Sequence, residues 1–86
     1  MKKFIEIENL FSQLLCMLEE IFSKSEICEV KTFLVAYEYG IALDVTVDII
    51  IDEKKKPRRE VISLINDLVI EMDLDPATYA EKLDMR

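Results

Sequence analysis

Apolar residues recur along this chain with two different periods, and the two predict different elements. Over residues 2–22, Phe4, Ile7, Phe11, Leu14, Leu18 and Ile21 are separated by alternating steps of three and four. That spacing puts them on one stripe of a long amphipathic helix, which Leu10 and Met17 widen. "SKSEIC" interrupts the stripe. Ser23, with Glu26 three residues later, has the spacing of a capping box, and Ser25 is a second candidate N-cap. A shorter helix follows through Ile27, Val30, Phe33, Leu34 and Tyr37, and Gly40, the single glycine, closes it or turns the chain. "DEKKKPRRE" reads as a linker, in which Pro57 suits the first turn of a helix and holds Lys56 out of the α region. Residues 58–73 carry the next amphipathic helix, with Val61, Ile65, Leu68 and Met72 on one face and Ile62, Leu64 and Val69 broadening it. Asp75 and Pro76 form an N-cap and first-turn pair, opening a last short helix through Tyr79 and Leu83.

Residues 41–52 follow the other period. Every odd position from Ile41 to Ile51 is apolar, while Asp44, Thr46, Asp48 and Asp52 fall on even ones. Alternation and β-branching favour a strand with one wet face, paired with "TFLVAYEY" in a hairpin around Gly40. Against this, twelve residues is long for a strand, and a lone hairpin among helices leaves two exposed edges. Wound as a helix, the same segment places Asp44, Asp48 and Asp52 within about 80° of one another, with apolar residues around most of the rest. The pattern therefore leaves two architectures open. One is an all-α bundle of four or five helices; the other is an α+β fold with a hairpin around residues 30–52.

Length and charge narrow the function more than the fold. Eighty-six residues suffice for one domain, 1–86, with one core. The net charge is −7 and histidine is absent, which removes His-based acid–base catalysis and His metal sites. Such a chain repels nucleic acid and anionic membrane and attracts basic surfaces. "KKKPRR" is an exception in sign, but without its five bases 6 remain against 18 acids, a net of −12, so it reads as a solvated linker. Lys54 to Lys56 suit a helix C-terminus, and Arg58 and Arg59 have Glu60, Asp52 and Glu53 as nearby acids to pair with. Cys16 and Cys28 do not form a CxxC pair and read as buried, reduced thiols. Glu6 and Glu8 break any signal-peptide core after "MKK", and no 18-residue apolar run is present, so the expected compartment is the cytoplasm. Without a Gly-rich phosphate loop, a metal-ligand spacing or a nucleophile–base set, neither an enzyme nor a cofactor is expected.

The three aspartates pose the sharpest question. Like charges at i, i+4 and i+8 cost an isolated helix about 0.2–0.5 kcal/mol per pair, and no base stands within the run. A solvated face, or neutralisation by a basic neighbour in the fold, is one explanation. A row awaiting a cationic partner, its repulsion relieved on binding, is another. A divalent cation held by the row is a third, although nothing here has the pattern of a calcium loop.

"EYGIALDVTVDII", the charged linker, "REVISLINDLVIEMDLDP" and "ATYAEKL" together resemble the MafI-type immunity family, small helical proteins that neutralise toxin domains delivered between competing bacteria. The resemblance spans roughly residues 29–83 and is clearest at Glu38 to Leu43; the first helix matches only in length and amphipathicity. It implies an all-α fold in which "EYG-AL" opens a helix, and Thr46 with Val47, both poor helix formers, fit that pattern least. It also implies a cognate toxin as partner, of ribonuclease type and often EndoU-like, whose basic cleft Asp44, Asp48 and Asp52 would occupy, with Glu38 as a fourth member. Tyr37 and Tyr39 are then interface aromatics or buried rings with satisfied hydroxyls. The competing expectation is an adaptor or homodimer joined through Phe4, Phe11, Leu14 and Leu18 on the first helix.

Overall fold

The computed structural model describes the backbone of residues 2–83 and the side chains of residues 4–83. Of the domain expected over residues 1–86, Met1 and residues 84–86 therefore lie outside the description. Five helices follow one another: α1 (Lys2–Leu18), α2 (Lys24–Val35), α3 (Tyr39–Asp52), α4 (Arg59–Glu71) and α5 (Pro76–Leu83). The fold is a small all-α bundle, and no strand occurs among the described residues. α1 packs chiefly on α4 and α2 on α3, while α5 lies against both α3 and α4. One hydrophobic core joins them, centred on Phe11, Leu14, Leu18, Leu43, Ile65 and Leu68.

The period-two segment is a helix because burial follows i, i+3 and i+4, not alternation. Ala42, Leu43, Thr46, Val47 and Ile50 are all buried. The Thr46 hydroxyl, polar and with no water to meet, donates to the Ala42 carbonyl at 2.8 Å. Tertiary packing here overrides a weak local preference.

Two helix starts, those of α2 and α5, match their sequence signals. At α2 both capping-box bonds form: the Glu26 amide donates to Ser23 Oγ at 3.1 Å, and the Ser23 amide to Glu26 Oε1 at 2.8 Å. Phe22 and Ile27, both buried, occupy the two positions of a hydrophobic staple around that cap. At α5 the Ala77 amide donates to Asp75 Oδ1 at 3.0 Å, with Pro76 in the first turn.

Helix ends depart from expectation. α1 stops at Leu18, not near residue 22, because the Ile21 and Phe22 amides both turn back onto the Leu18 carbonyl to swing the chain toward α2. Gly40 closes nothing: it lies in the first turn of α3, and a Cβ there would meet no atom within 4 Å. α2 is closed instead by Tyr37, which follows its C-cap Ala36 and has φ 61°. The Tyr37 amide bonds Leu34 O and the Glu38 amide bonds Phe33 O, the two bonds of a Schellman motif. Lys54 and Asp73 end α3 and α4 in the same way. Pro57 precedes the N-cap of α4, Arg58, and is not in the first turn.

Two further expectations fail, and a third holds in part. Cys16 and Cys28 are free but exposed, since the buried face of α1 runs through Ile7, Phe11, Leu14, Leu15 and Leu18, and that of α2 through Ile27 and Val30. Phe11, Leu14 and Leu18 are consumed by this core, so the proposed first-helix seam retains only Phe4 on the surface. The linker is largely solvated, with Lys54, Lys56, Arg58 and Arg59 exposed, but two of its bases pair with acids other than those expected. Lys55 forms an ion pair with Glu26 at 3.1 Å and lies over the Phe22 ring, while Arg58 pairs with Glu20 at 3.0 Å and not with Glu60, Asp52 or Glu53.

Candidate functional site

α3 presents more apolar surface than its neighbours cover. At about 100° per residue, its buried and half-buried positions span about 200° of the helix. The exposed arc holds Asp44, Asp48 and Asp52, interleaved with Ile41 and Ile51 at 43% and 39% exposure. Glu38, also exposed, is the N-cap residue of α3, but its side chain makes no capping bond. Sequence reasoning thus placed all four acids on the surface correctly, with three of them in one row.

No lysine or arginine among the described residues forms an ion pair with Glu38, Asp44, Asp48 or Asp52; the pairs that form, Lys55–Glu26 and Arg58–Glu20, lie elsewhere. The row is therefore not neutralised by a described base of its own chain. Nor does any group of three or more carboxylates or thiols among the described residues have the geometry to hold a metal ion.

One member of the row is tied down by a neutral group. The Tyr79 hydroxyl, from α5, donates to Asp44 Oδ1 at 2.5 Å. Tyr79 is buried, and burial, the Asp44 bond and the charges of Asp44 and Asp48 all push its ionisation well above the ordinary tyrosine range. The hydroxyl thus stays a donor throughout the physiological range, and α5 fixes the position of Asp44. Lys82 lies over the Tyr79 ring but pairs with none of the three aspartates.

A second surface flanks the start of α3. Tyr39, half-buried, stacks between Phe4 and Phe11 with centroid separations of 6.0 and 6.2 Å, and Tyr37 meets it edge-on at 6.4 Å. The Tyr39 hydroxyl donates to Glu8 on α1, and this bond with the partial burial of the ring raises the Tyr39 pKa to about 12. The two expectations for these tyrosines therefore divide between them: Tyr39 is packed with its hydroxyl satisfied, and Tyr37 is 73% exposed. Phe4 is 53% exposed, although it falls on the apolar stripe of α1.

Sequence reasoning missed the Tyr79–Asp44 bond and the Phe4–Tyr39–Glu8 cluster. Both link residues more than thirty positions apart, and neither has a local signature. Among the described residues, no helix is long and apolar enough to cross a membrane. No family model, curated protein or solved structure matches the chain.

Proposed function

We propose that this chain is an immunity protein that binds one toxin domain, of ribonuclease type, and blocks its basic cleft with the acidic face of α3. The observation that carries the reading is the row Asp44–Asp48–Asp52. It is exposed, has no described base of its own chain, and is interleaved with uncovered isoleucines. Charge alone would suit any basic partner. Apolar side chains among the charges suit a protein surface, where an anchor such as Ile41 is buried at the centre of contact. Tyr37, exposed beside Glu38 at the head of the same helix, adds an aromatic of the kind that dominates interface energetics. The action is occlusion, with no catalysis and no cofactor. Opposite charge speeds encounter, an advantage when the unbound toxin is lethal.

Co-expression is the direct test. If the reading frame just upstream encodes a secreted protein with a variable C-terminal domain, that domain should arrest growth alone and be tolerated with this chain. A domain equally toxic in both cases would remove the proposal. Self-association is the second reading, favoured by the exposed aromatics Phe4 and Tyr37. It requires sedimentation that depends on concentration and responds to Phe4→Ser with Tyr37→Ser, while the acids play no part.

A further inference from the structure

The C-terminal end of α3 carries a concavity of the opposite character to the acidic row. It encloses about 690 Å³, within the range of about 300–1,000 Å³ typical of small-molecule sites. Its floor is apolar: Ile50 and Leu83 are buried there, Ile62 is half-buried, and Ile51 contributes an exposed side chain. Lys54, Lys56 and Lys82 stand around this floor, and no carboxylate among the described residues lines it. The contrast with a second concavity, about 390 Å³ between α1 and α4, is direct. That one is lined by Glu6, Asp67 and Glu71, the sign expected of a chain with net charge −7.

Four segments build the groove: the end of α3, the linker, α4 through Ile62, and α5. The Schellman ending of α3 puts Lys54 at φ 53° and turns the chain outward. Lys55, which also lines the groove, is held by Glu26 and the Phe22 ring, so the linker that forms one wall is fastened to α2. Lys82 rests over Tyr79. Among the described residues, Lys54, Lys56 and Lys82 form no ion pair. Lysine stems commonly lie along apolar surface with their charges in water. Here three of them line one concavity, with no acid among its described lining residues.

We propose that this groove binds a monomeric single-chain anionic amphiphile, its alkyl chain on the isoleucine and leucine floor and its carboxylate among Lys54, Lys56 and Lys82. The shape favours such a ligand over a protein surface, because the site is concave and walled on several sides. The fastened linker means that little ordering is needed on binding. This proposal does not depend on the toxin reading.

Methyl NMR of the full chain, titrated with decanoate below its micelle concentration, tests it. The expected result is saturable one-to-one shifts at Ile50, Ile51, Ile62 and Leu83. Lys54→Gln with Lys56→Gln and Lys82→Gln should weaken binding tenfold or more without altering the circular dichroism spectrum. If that triple variant does not fold, Lys56→Gln alone should still weaken binding about threefold. Decyltrimethylammonium, with the same chain and opposite charge, is the decisive comparison. The net charge of −7 favours the cation over the molecule as a whole, so a preference for decanoate points to the local lysines. Equal or tighter binding of the cation, shifts confined to the Phe4–Tyr37 surface, no saturable binding, or binding only to phosphatidylglycerol vesicles would each overturn the proposal.

Discussion

α1 and α3 are both rich in apolar residues, yet the fold uses them differently. In α1 the stripe Ile7, Phe11, Leu14, Leu15 and Leu18 is buried, while its far side, with Glu6, Asn9 and Gln13, is exposed or carries polar side chains. That stripe packs chiefly on α4, and Phe11 also stacks on Tyr39 of α3. In α3 the neighbours cover one arc and leave Ile41 and Ile51 at the surface between three acids. α1 also leaves apolar residues uncovered, but Phe4 and Ile5 sit together at its N-terminal end, where Phe4 stacks on Tyr39. α3 sets its uncovered isoleucines among three carboxylates in an ordered row, a surface still unexplained by folding, and the acidic-face proposal rests on that surplus.

The largest expected effect tests the first half of this contrast. Leu14→Ala removes a fully buried side chain from the α1–α4 contact and should cost about 2–5 kcal/mol in chemical denaturation. Ile41→Ala, on the exposed arc, should stay within about 0.5 kcal/mol of the parent protein. A comparable loss at Ile41 would mean that it belongs to the core after all, and the surplus on α3 would shrink to charge alone.

Next in size is the effect on association. Asp48→Lys with Asp52→Lys should slow binding of the proposed toxin domain about tenfold at low salt, with a much smaller change in dissociation. These two positions are preferable to Asp44, whose replacement would also strip Tyr79 of its hydrogen-bond acceptor. Glu29→Lys with Glu81→Lys changes the net charge by the same amount from exposed positions on α2 and α5. Stopped-flow rates that fall equally for both pairs would reduce the row to a share of the net charge.

Much of the scaffold was legible in the sequence, and the reasons are local. The α1 and α4 stripes repeat with the helical period because each helix buries one face. The Ser23–Glu26 box and the Asp75–Pro76 start are encoded within four residues. α3 was ambiguous because a helix covered over more than half its circumference loses its own period, so an accidental alternation shows through. The exposure of the four acids was readable, but their surroundings were not, since the Tyr79–Asp44 and Lys55–Glu26 contacts join distant segments. Helix ends were hidden for another reason. The left-handed residue that closes α2, α3 and α4 is usually glycine, and here it is Tyr37, Lys54 and Asp73.

That substitution pattern gives a prediction of moderate size. A non-glycine residue in the left-handed region carries a steric penalty that glycine lacks, so Lys54→Gly should stabilise the fold by about 0.5–1 kcal/mol. Asp73→Gly should gain less, because aspartate tolerates that conformation better than most residues. At Tyr37 the gain should be offset by loss of its edge contact with Tyr39. Thermal unfolding of the three variants should therefore rank Lys54→Gly first.

The smallest effect is expected at the residue that made α3 hardest to read. Thr46 is fully buried, and its hydroxyl donates to Ala42 O, a carbonyl that the helix ladder already supplies with an amide donor. Thr46→Val would replace that hydroxyl with a methyl group of similar size, leaving no donor unpaired and adding apolar contact. Helix propensities of the two residues are close. The stability change should be under about 0.5 kcal/mol and in the stabilising direction, whereas Thr46→Ser, which keeps the bond but opens a small void, should cost about 1 kcal/mol. If the order reversed, with valine the more damaging, the hydroxyl would be contributing to the shape of α3. The acidic face would then depend on a bend at Thr46 as well as on the spacing of its three aspartates.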